Sequence, residues 1–414
     1  MSLIDRLTVH LLALPLVEPF RAAHGEVRER QLTVVRIETA AGIGWGECSA
    51  LPDPTYTNEF AAGAYRQLVD ELGPAVVGAE ATGDEVVARC PQPARRPMAV
   101  AALEMAALDH RLRTEGRSLA AHLADEAASL ADADATTDGS ATTDGPTTAE
   151  VPTSEPGGGP APEAAGVAAS VPAGAAIGLG TPDEVVASAR RLADGGFGRL
   201  KVKVEPGHDV AVVEAVRAAV PEVELHVDGN GSFGAPDLDR LVAMADAGVV
   251  AIEQPFHPAD LASARALVER GGATAVVADE AATSVDAVVR LHRAGALTGV
   301  SIKPPRVGGL APTLALHDLC RREGLAATAG GMLESGLGRH GLAAVAALPG
   351  FTLAGDLSPA GRWLTADPWP DLRLRAETGR IDVPAGPGVA PEPDLDLLSD
   401  LTVQRREITV DGGR

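Results

Sequence analysis

The chain has 414 residues, 45% of them hydrophobic and 22% charged, with a formal net charge of −22. That length allows a large core and one big or two ordinary domains. The acidic balance argues against a nucleic acid or an anionic membrane as partner, because phosphate recruits positive charge. Three well-separated cysteines, Cys48, Cys90 and Cys320, argue against a disulfide framework and for a reducing cytoplasm.

In chain order, residues 4–49 read as β structure. LTVHLLALPLV, LTVVRIET and IGWGECSA are short apolar or alternating runs separated by turn signals. The first of them alternates and carries charges ahead of it, so it reads as a strand rather than a signal peptide. No run approaches the roughly 18 apolar residues of a membrane span. Residues 57–124 read as helical, ending in the periodic stretch AVAALEMAALDHRLRTEGRSLAAHLA. From 125 to 170 the composition collapses mostly to Ala, Asp, Thr, Gly, Pro and Glu, without lysine, arginine or aromatic residues. Such a segment buries too little apolar surface to offset its ordering entropy, and it is expected to be a disordered insertion.

From Val171 short β runs alternate with amphipathic helical stretches. The β runs are VPAGAAIGL, RLKVKV, ELHVDGN, VVAIEQP, TAVVADE, GVSIKP, LAATAGG and FTLAGD. Eight such alternations predict an α/β fold of the TIM-type (β/α) barrel class, with a doubly wound open sheet as the alternative. No GxGxxG follows the first strand, which disfavours the dinucleotide-binding version.

RLKVKV poses a question. Side chains alternate faces along a strand, so Lys201 and Lys203 share one face. An exposed edge strand guarded by lysines would explain the pair. The strand ends suggest another answer. Lys203, Asp228, Glu253, Asp279 and Lys303 recur about 25 residues apart, roughly one βα unit each, which would set them around the C-terminal mouth of a barrel, where such folds build active sites. Three carboxylates there repel unless paired, and a hard divalent cation relieves them: Asp228, Glu253 and Asp279 suit Mg²⁺, with Mn²⁺ as a substitute. Their other reading is as caps of helix N-termini. Cysteine and histidine are absent from these positions, which disfavours zinc. Lys203 and Lys303 would flank the metal as proton carriers, with Lys201 as the neighbouring cation that lowers the pKa of Lys203. Lysine bases beside a metal suit removal of a proton α to a carboxylate.

KVKVEPG, VDGNGSF, IEQPF, ADE, IKPPRVGG, GGMLESGLGR and GDLS, in this order, resemble the enolase superfamily, and more closely its o-succinylbenzoate synthase / N-acylamino acid racemase branch. The likeness spans nearly the whole chain outside 125–170. It implies that Lys203 and Lys303 act on opposite faces of a small carboxylate substrate and that Asp228, Glu253 and Asp279 bind Mg²⁺. It implies supporting roles for Asn230, Glu280 and Glu334. It also implies an α+β capping domain from residues 1–124, a barrel over 171–356 and a segment 357–414 returning to the cap. Loops carrying Phe20, His24 and Tyr56 would close over the substrate. Gly229 and Pro305 stand where the branch often has Ala and Gly, which bears on substrate preference.

Two activities fit this resemblance. One is a dehydratase of menaquinone biosynthesis, forming o-succinylbenzoate from a succinyl-cyclohexadiene carboxylate. Lys203 would be its base and Lys303 a cation–π partner of the ring. The other is an N-acylamino acid (N-succinylamino acid) racemase, which needs both lysines, with Arg306 steering the substrate. The expected protein is cytoplasmic and homo-oligomeric, with neither nucleic acid nor membrane as partner. His226, on the same strand face as Asp228, is a candidate for a place near the metal. His340 is expected to be structural, and Trp45 to pack the cap or line the pocket.

Overall fold

The computed structural model describes residues 2–22, 25–137 and 167–410. Three strands, β1 (Arg6–Ala22), β2 (Gly25–Thr39) and β3 (Gly42–Cys48), form an antiparallel meander near the N-terminus. Against it packs the helix Pro97–Glu115, whose alanine-rich face lies unusually close to β3. A Cβ on Gly44 would sit 2.1 Å from the carbonyl oxygen of Ala106, and one on Gly46 would sit 1.9 Å from that of Ala102. Glycine in the strand therefore sets how closely sheet and helix approach.

The next helix runs from Leu119 to Thr137, so the helical region passes the boundary expected at residue 125. Composition misplaced this boundary. Residues poor in aromatics cannot build a core, but an alanine-rich run can extend a helix already anchored by buried Leu119 and Leu123. Residues 138–166, the rest of the expected insertion, lie outside the described residues. The described residues resume at Val167, and Ala168 donates to the carbonyl of Ala347 at 3.0 Å.

A short strand β4 (Ser170–Pro172) leads into the barrel. The barrel strands are β5 (Gly174–Ile177), β6 (Arg199–Lys203), β7 (Glu224–Asp228), β8 (Ala251–Glu253), β9 (Ala275–Ala278), β10 (Gly299–Ile302) and β11 (Ala326–Ala329). They pair in sequential order into one parallel sheet. Amphipathic helices cover the outside. Pro182–Asp194, for example, starts at a capping box between Thr181 and Glu184 and buries Val185 and Ala189. The barrel class expected from the eight-fold rhythm is present, with seven regular strands rather than eight.

FTLAGD, expected as the eighth strand, is irregular. Leu353 and Asp356 donate to the carbonyls of Ala327 and Ala329 on β11, and Leu357 accepts from Gly174 at the start of β5. The segment bridges the two outer strands with bonds too sparse for a ladder. The chain then forms β12 (Leu374–Arg375) and β13 (Arg380–Asp382), which extend β4. It ends with β14 (Thr402–Thr409), antiparallel to β1 from Arg6↔Thr409 to Leu12↔Thr402. The cap sheet is thus built from both ends of the described chain, in the order β14-β1-β2-β3. Among the described residues no helix is long and apolar enough to cross a membrane.

Candidate active site

All five residues of β6 are buried, and β6 lies between β5 and β7. The edge-strand explanation of the lysine pair therefore fails. Leu200 and Val202 belong to the barrel core, and Lys201 and Lys203 take the opposite face. Parallel register sets Lys203 beside Asp228 and Asp228 beside Glu253. Asp279 and Lys303 each stand one residue beyond the ends of β9 and β10. The five residues singled out by their spacing meet at one end of the barrel.

They meet as a dense network of charge. Lys203 Nζ donates to Asp228 Oδ2 and to Asn230 Oδ1, both at 2.7 Å. Asn230 Nδ2 donates in turn to Glu280 Oε1 at 2.9 Å. Lys201 Nζ reaches both oxygens of Glu253 at 3.0 Å, lies 3.3 Å from Asp228 Oδ2 and pairs with Asp356. On the far side, Lys303 Nζ donates to Asp279 Oδ2 at 2.8 Å and to the Tyr56 hydroxyl at 2.9 Å. The Tyr56 hydroxyl donates to Asp279 Oδ2 at 2.9 Å. Arg306 donates to Asp279 Oδ1, to Tyr56 and to the carbonyl of Ser301.

Burial and neighbours set the protonation of these groups. Burial pushes Asp279 up, but Lys303 and Arg306 outweigh it and hold the carboxyl well below its usual range. Asp356 is held low in the same way by Lys201 and Arg199, against burial. Glu253 goes the other way, to about 8, because burial and the charges of Asp228, Asp279 and Asp356 exceed the help of Lys201. Glu280 rises to about 7 through burial and the two neighbouring aspartates. Burial keeps Tyr56 a neutral phenol, and so a donor. Lys201 stays protonated: burial opposes its charge, but Asp356, Glu253 and Asp228 prevail.

Two expected roles change in this geometry. From the sequence, Lys201 is expected to act on Lys203 as the neighbouring cation that lowers its pKa. Instead its charge is committed to three acids, and Asp228 lies between the two ammonium groups. Arg306 was expected to steer substrate. It is buried, and its bonds to Asp279, Tyr56, Ser301 and Ala282 make it an anchor for Asp279.

The donor set tests whether a divalent cation suits the site. Asp228, Glu253 and Asp279 offer hard oxygen at adjacent strand ends, which fits Mg²⁺ in kind. Glu253 is raised by burial first and by the neighbouring aspartates after it, and a cation beside it would favour its charged form. As the side chains stand, the lysines and Arg306 neutralise the acids. Among the described residues no three acidic, histidine or cysteine groups converge closely enough to hold an ion.

Other expected residues divide. Tyr56 lines the cavity, together with Leu51 from the same loop. Phe20 lies in β1, paired with Val27 of β2, and His24 lies outside the described residues. Glu334 accepts from the amide of Met332 at 2.5 Å and faces a neighbouring cavity that also touches Glu47. His226 shares the strand face of Asp228, yet it turns to Arg199 at 3.1 Å and Glu224 at 2.6 Å. His340 is buried in the helix Gly336–Ala346, bonded to the carbonyl of Gly336. Trp45 is buried in the cap and packs edge-on against Trp369.

Sequence reasoning gave no role to two residues that organise the site. Asp356, at the end of the irregular closing segment, joins Lys201 to Arg199. Gln254 follows Glu253 with φ +35, and its side-chain oxygen accepts the amides of Asp279 and Ala281, each at 3.0 Å. It therefore locks the turn after β8 to the Asp279 end of β9. Asn230, with φ +44, is similarly left-handed. Non-glycine residues in this region are costly and gather at functional sites. The signal was present in the IEQP and GDLS motifs, but only the tertiary contacts say what Gln254 and Asp356 hold.

The chain is a capped (β/α) barrel with lysines and acids paired at the C-terminal ends of its strands. Comparison with known proteins gives its family. Residues 6–123 match the mandelate racemase / muconate lactonizing enzyme N-terminal domain, and residues 184–397 match the enolase C-terminal domain-like family. The chain is 34% identical over 395 residues to an N-succinylamino acid racemase of Amycolatopsis sp, covering 95% of each chain. It is 32% identical over 398 residues to the o-succinylbenzoate synthase of Bacillus subtilis (strain 168), again covering 95% of each. A solved enolase-superfamily member from Listeria innocua superposes with a TM-score of 0.78 at 26% identity, over 99% of this chain and 100% of that one. The chain belongs to the enolase superfamily.

Proposed function

We propose that this protein is a Mg²⁺-dependent o-succinylbenzoate synthase, and that racemisation of N-succinylamino acids is a second activity of the same site. The observation that carries both is the pair Lys203 and Lys303, buried with three strands between them, each bonded to a carboxylate at a strand end. Relatives named for each activity match the chain at similar identity.

Asp228, Glu253 and Asp279 would hold the ion, which when bound supplies positive charge to the substrate carboxylate as the α proton leaves. Lys203, as the free amine, takes that proton from the succinyl-cyclohexadiene carboxylate. It then returns it to the departing hydroxyl, so that water leaves and the ring becomes aromatic. Asn230 fixes the Lys203 ammonium through a 2.7 Å bond. Lys303, stacked 4.8 Å from the Tyr56 ring centroid, faces the substrate from the other side. In racemisation one lysine removes the α proton and the other delivers a proton to the opposite face. The two lysines are what favour this second reading, since dehydration needs one base.

The experiment is a pair of steady-state assays with Mg²⁺. Loss of absorbance follows the cyclohexadiene substrate, and optical rotation follows an N-succinyl amino acid. Turnover of the first supports the synthase, and turnover of both supports the shared site. Turnover of the second alone makes the protein a racemase, and turnover of neither overturns the proposal.

A further inference from the structure

The reacting cavity holds about 90 Å³, whereas pockets for molecules of this class run to roughly 300–1,000 Å³. A cleft of about 550 Å³ adjoins it, and both are lined by Ala176 and Trp363. The cleft runs between the loop after β5, one face of the helix Pro182–Asp194, the β1–β2 hairpin at Glu18–Arg21, and Arg362. Ala176 pairs in register with Lys201, so the cleft begins one strand from the lysine pair.

Arg362 has no part in the chemistry derived above. Its guanidinium stacks on Trp363, 3.9 Å from the ring centroid, and Nη2 donates to the carbonyl of Ala176 at 2.5 Å. Nη1 is buried without a hydrogen-bond partner among the described residues. A buried guanidinium donor without an acceptor is costly. Burial, then Arg339, weighs against the charge and pushes Arg362 down to about 9, with Glu18 and Asp356 partly offsetting. Of the other charged groups of the cleft, three have partners, and Glu18 lines it as well. Arg21 pairs with Glu26 at 2.6 Å, Glu184 accepts from Thr181, and Arg191 donates to Ser188 at 2.9 Å.

Both proposed reactions share one feature of their substrates: a succinyl arm that ends in a second carboxylate. We propose that the cleft holds this arm and that Arg362 binds its terminal carboxylate, giving Nη1 the acceptor it lacks. Stacking on Trp363 presents the guanidinium as a flat, oriented donor, the form that matches a carboxylate best. A single cleft for the shared arm explains how one site serves a ring substrate and an amino acid substrate. The assignment rests on the succinyl-bearing substrate class proposed above.

The test compares N-succinyl-L-leucine with its terminal primary amide, N-succinamoyl-L-leucine, by calorimetric titration of the full chain with Mg²⁺. The wild type is expected to bind the carboxylate about tenfold tighter or more, the effect of one charge-assisted hydrogen bond. Arg362→Gln brings the ratio of the two dissociation constants close to one, and Arg362→Lys keeps part of it. A wild-type ratio near one overturns the assignment, as does a ratio that survives in folded Arg362→Gln. If Arg362→Gln does not fold, the wild type and Arg362→Lys decide. Exchange of the α proton in D₂O, followed by NMR, judges the reaction separately. No exchange with the ratio intact overturns the reaction but not the cleft, and exchange with a ratio near one does the reverse.

Discussion

Lys203 and Lys303 occupy matched positions with different surroundings. Lys203 is held by Asp228 and Asn230, Lys303 by Asp279 and Tyr56. Lys203→Ala should lower both activities by about 10²–10⁴, the usual worth of a positioned acid–base group, with the thermal transition near that of the wild type. A Lys203→Ala protein with near-normal turnover would sink the mechanism. Lys303→Ala should abolish racemisation and leave measurable dehydration, because only racemisation needs a proton carrier on each face. Parallel assays of the two reactions read this difference. Asp356 belongs to the same network without being a proton carrier. Asp356→Asn removes the shared partner of buried Lys201 and Arg199. Breaking a buried pair costs about 3–5 kcal/mol, so denaturant unfolding should show a loss of that order. A loss under about 1 kcal/mol would mean that Glu253 and Asp228 suffice for Lys201.

At the scale of elements, the cap depends on β3 and the helix Pro97–Glu115 touching almost backbone to backbone. Gly46→Ala would force its Cβ to within 1.9 Å of the Ala102 carbonyl oxygen, so strand or helix must shift. The expected result is a clear fall in the melting temperature, in the range of overpacking costs, about 1–3 kcal/mol. An unchanged melting temperature would show that the contact gives way freely. The helix Leu310–Arg322 offers a pH test. His317 is buried, accepts the amide of Gly350 at 3.0 Å and is pushed down to about 4, by burial first and Arg321 second. The folded chain therefore binds this proton less readily than the unfolded chain, whose histidine titrates near 6.5. The stabilisation is fully present above pH 6.5 and is lost as pH falls from there toward 4. Wild type should lose stability relative to His317→Gln across that window, and parallel denaturant curves at pH 7.5 and 5 would reveal a flat difference if the assignment were wrong.

At the scale of the whole molecule, the cap and barrel share one site. Tyr56 and Leu51 come from the cap, the lysines and acids from the barrel, and the cavity lies between them. The C-terminal strand β14 closes the cap sheet on β1, so the chain leaves the cap, builds the barrel and returns. Removal of divalent cations with EDTA should abolish both activities, and Mg²⁺ or Mn²⁺ should restore them. Turnover that persists in metal-free buffer would remove Asp228, Glu253 and Asp279 from the role proposed for them.

The amino-acid sequence by itself determined the repeating elements and the polar group at the end of each barrel strand. Period-2 and helical patterning follow from local backbone geometry, and one βα unit consumes a nearly constant length of chain. That is why the lysines and acids could be placed at one mouth without coordinates. The tertiary structure decided what no local pattern carries. It showed that β6 is interior and not an edge, that FTLAGD closes the barrel without becoming a strand, and that the helix after Leu119 continues to Thr137. It committed Arg306 to Asp279 and Lys201 to Glu253 and Asp356, and it left Nη1 of Arg362, beside a cleft, without a partner among the described residues. Each of these depends on which side chains meet across distant segments, and such meetings are fixed by packing and charge pairing rather than by spacing along the chain.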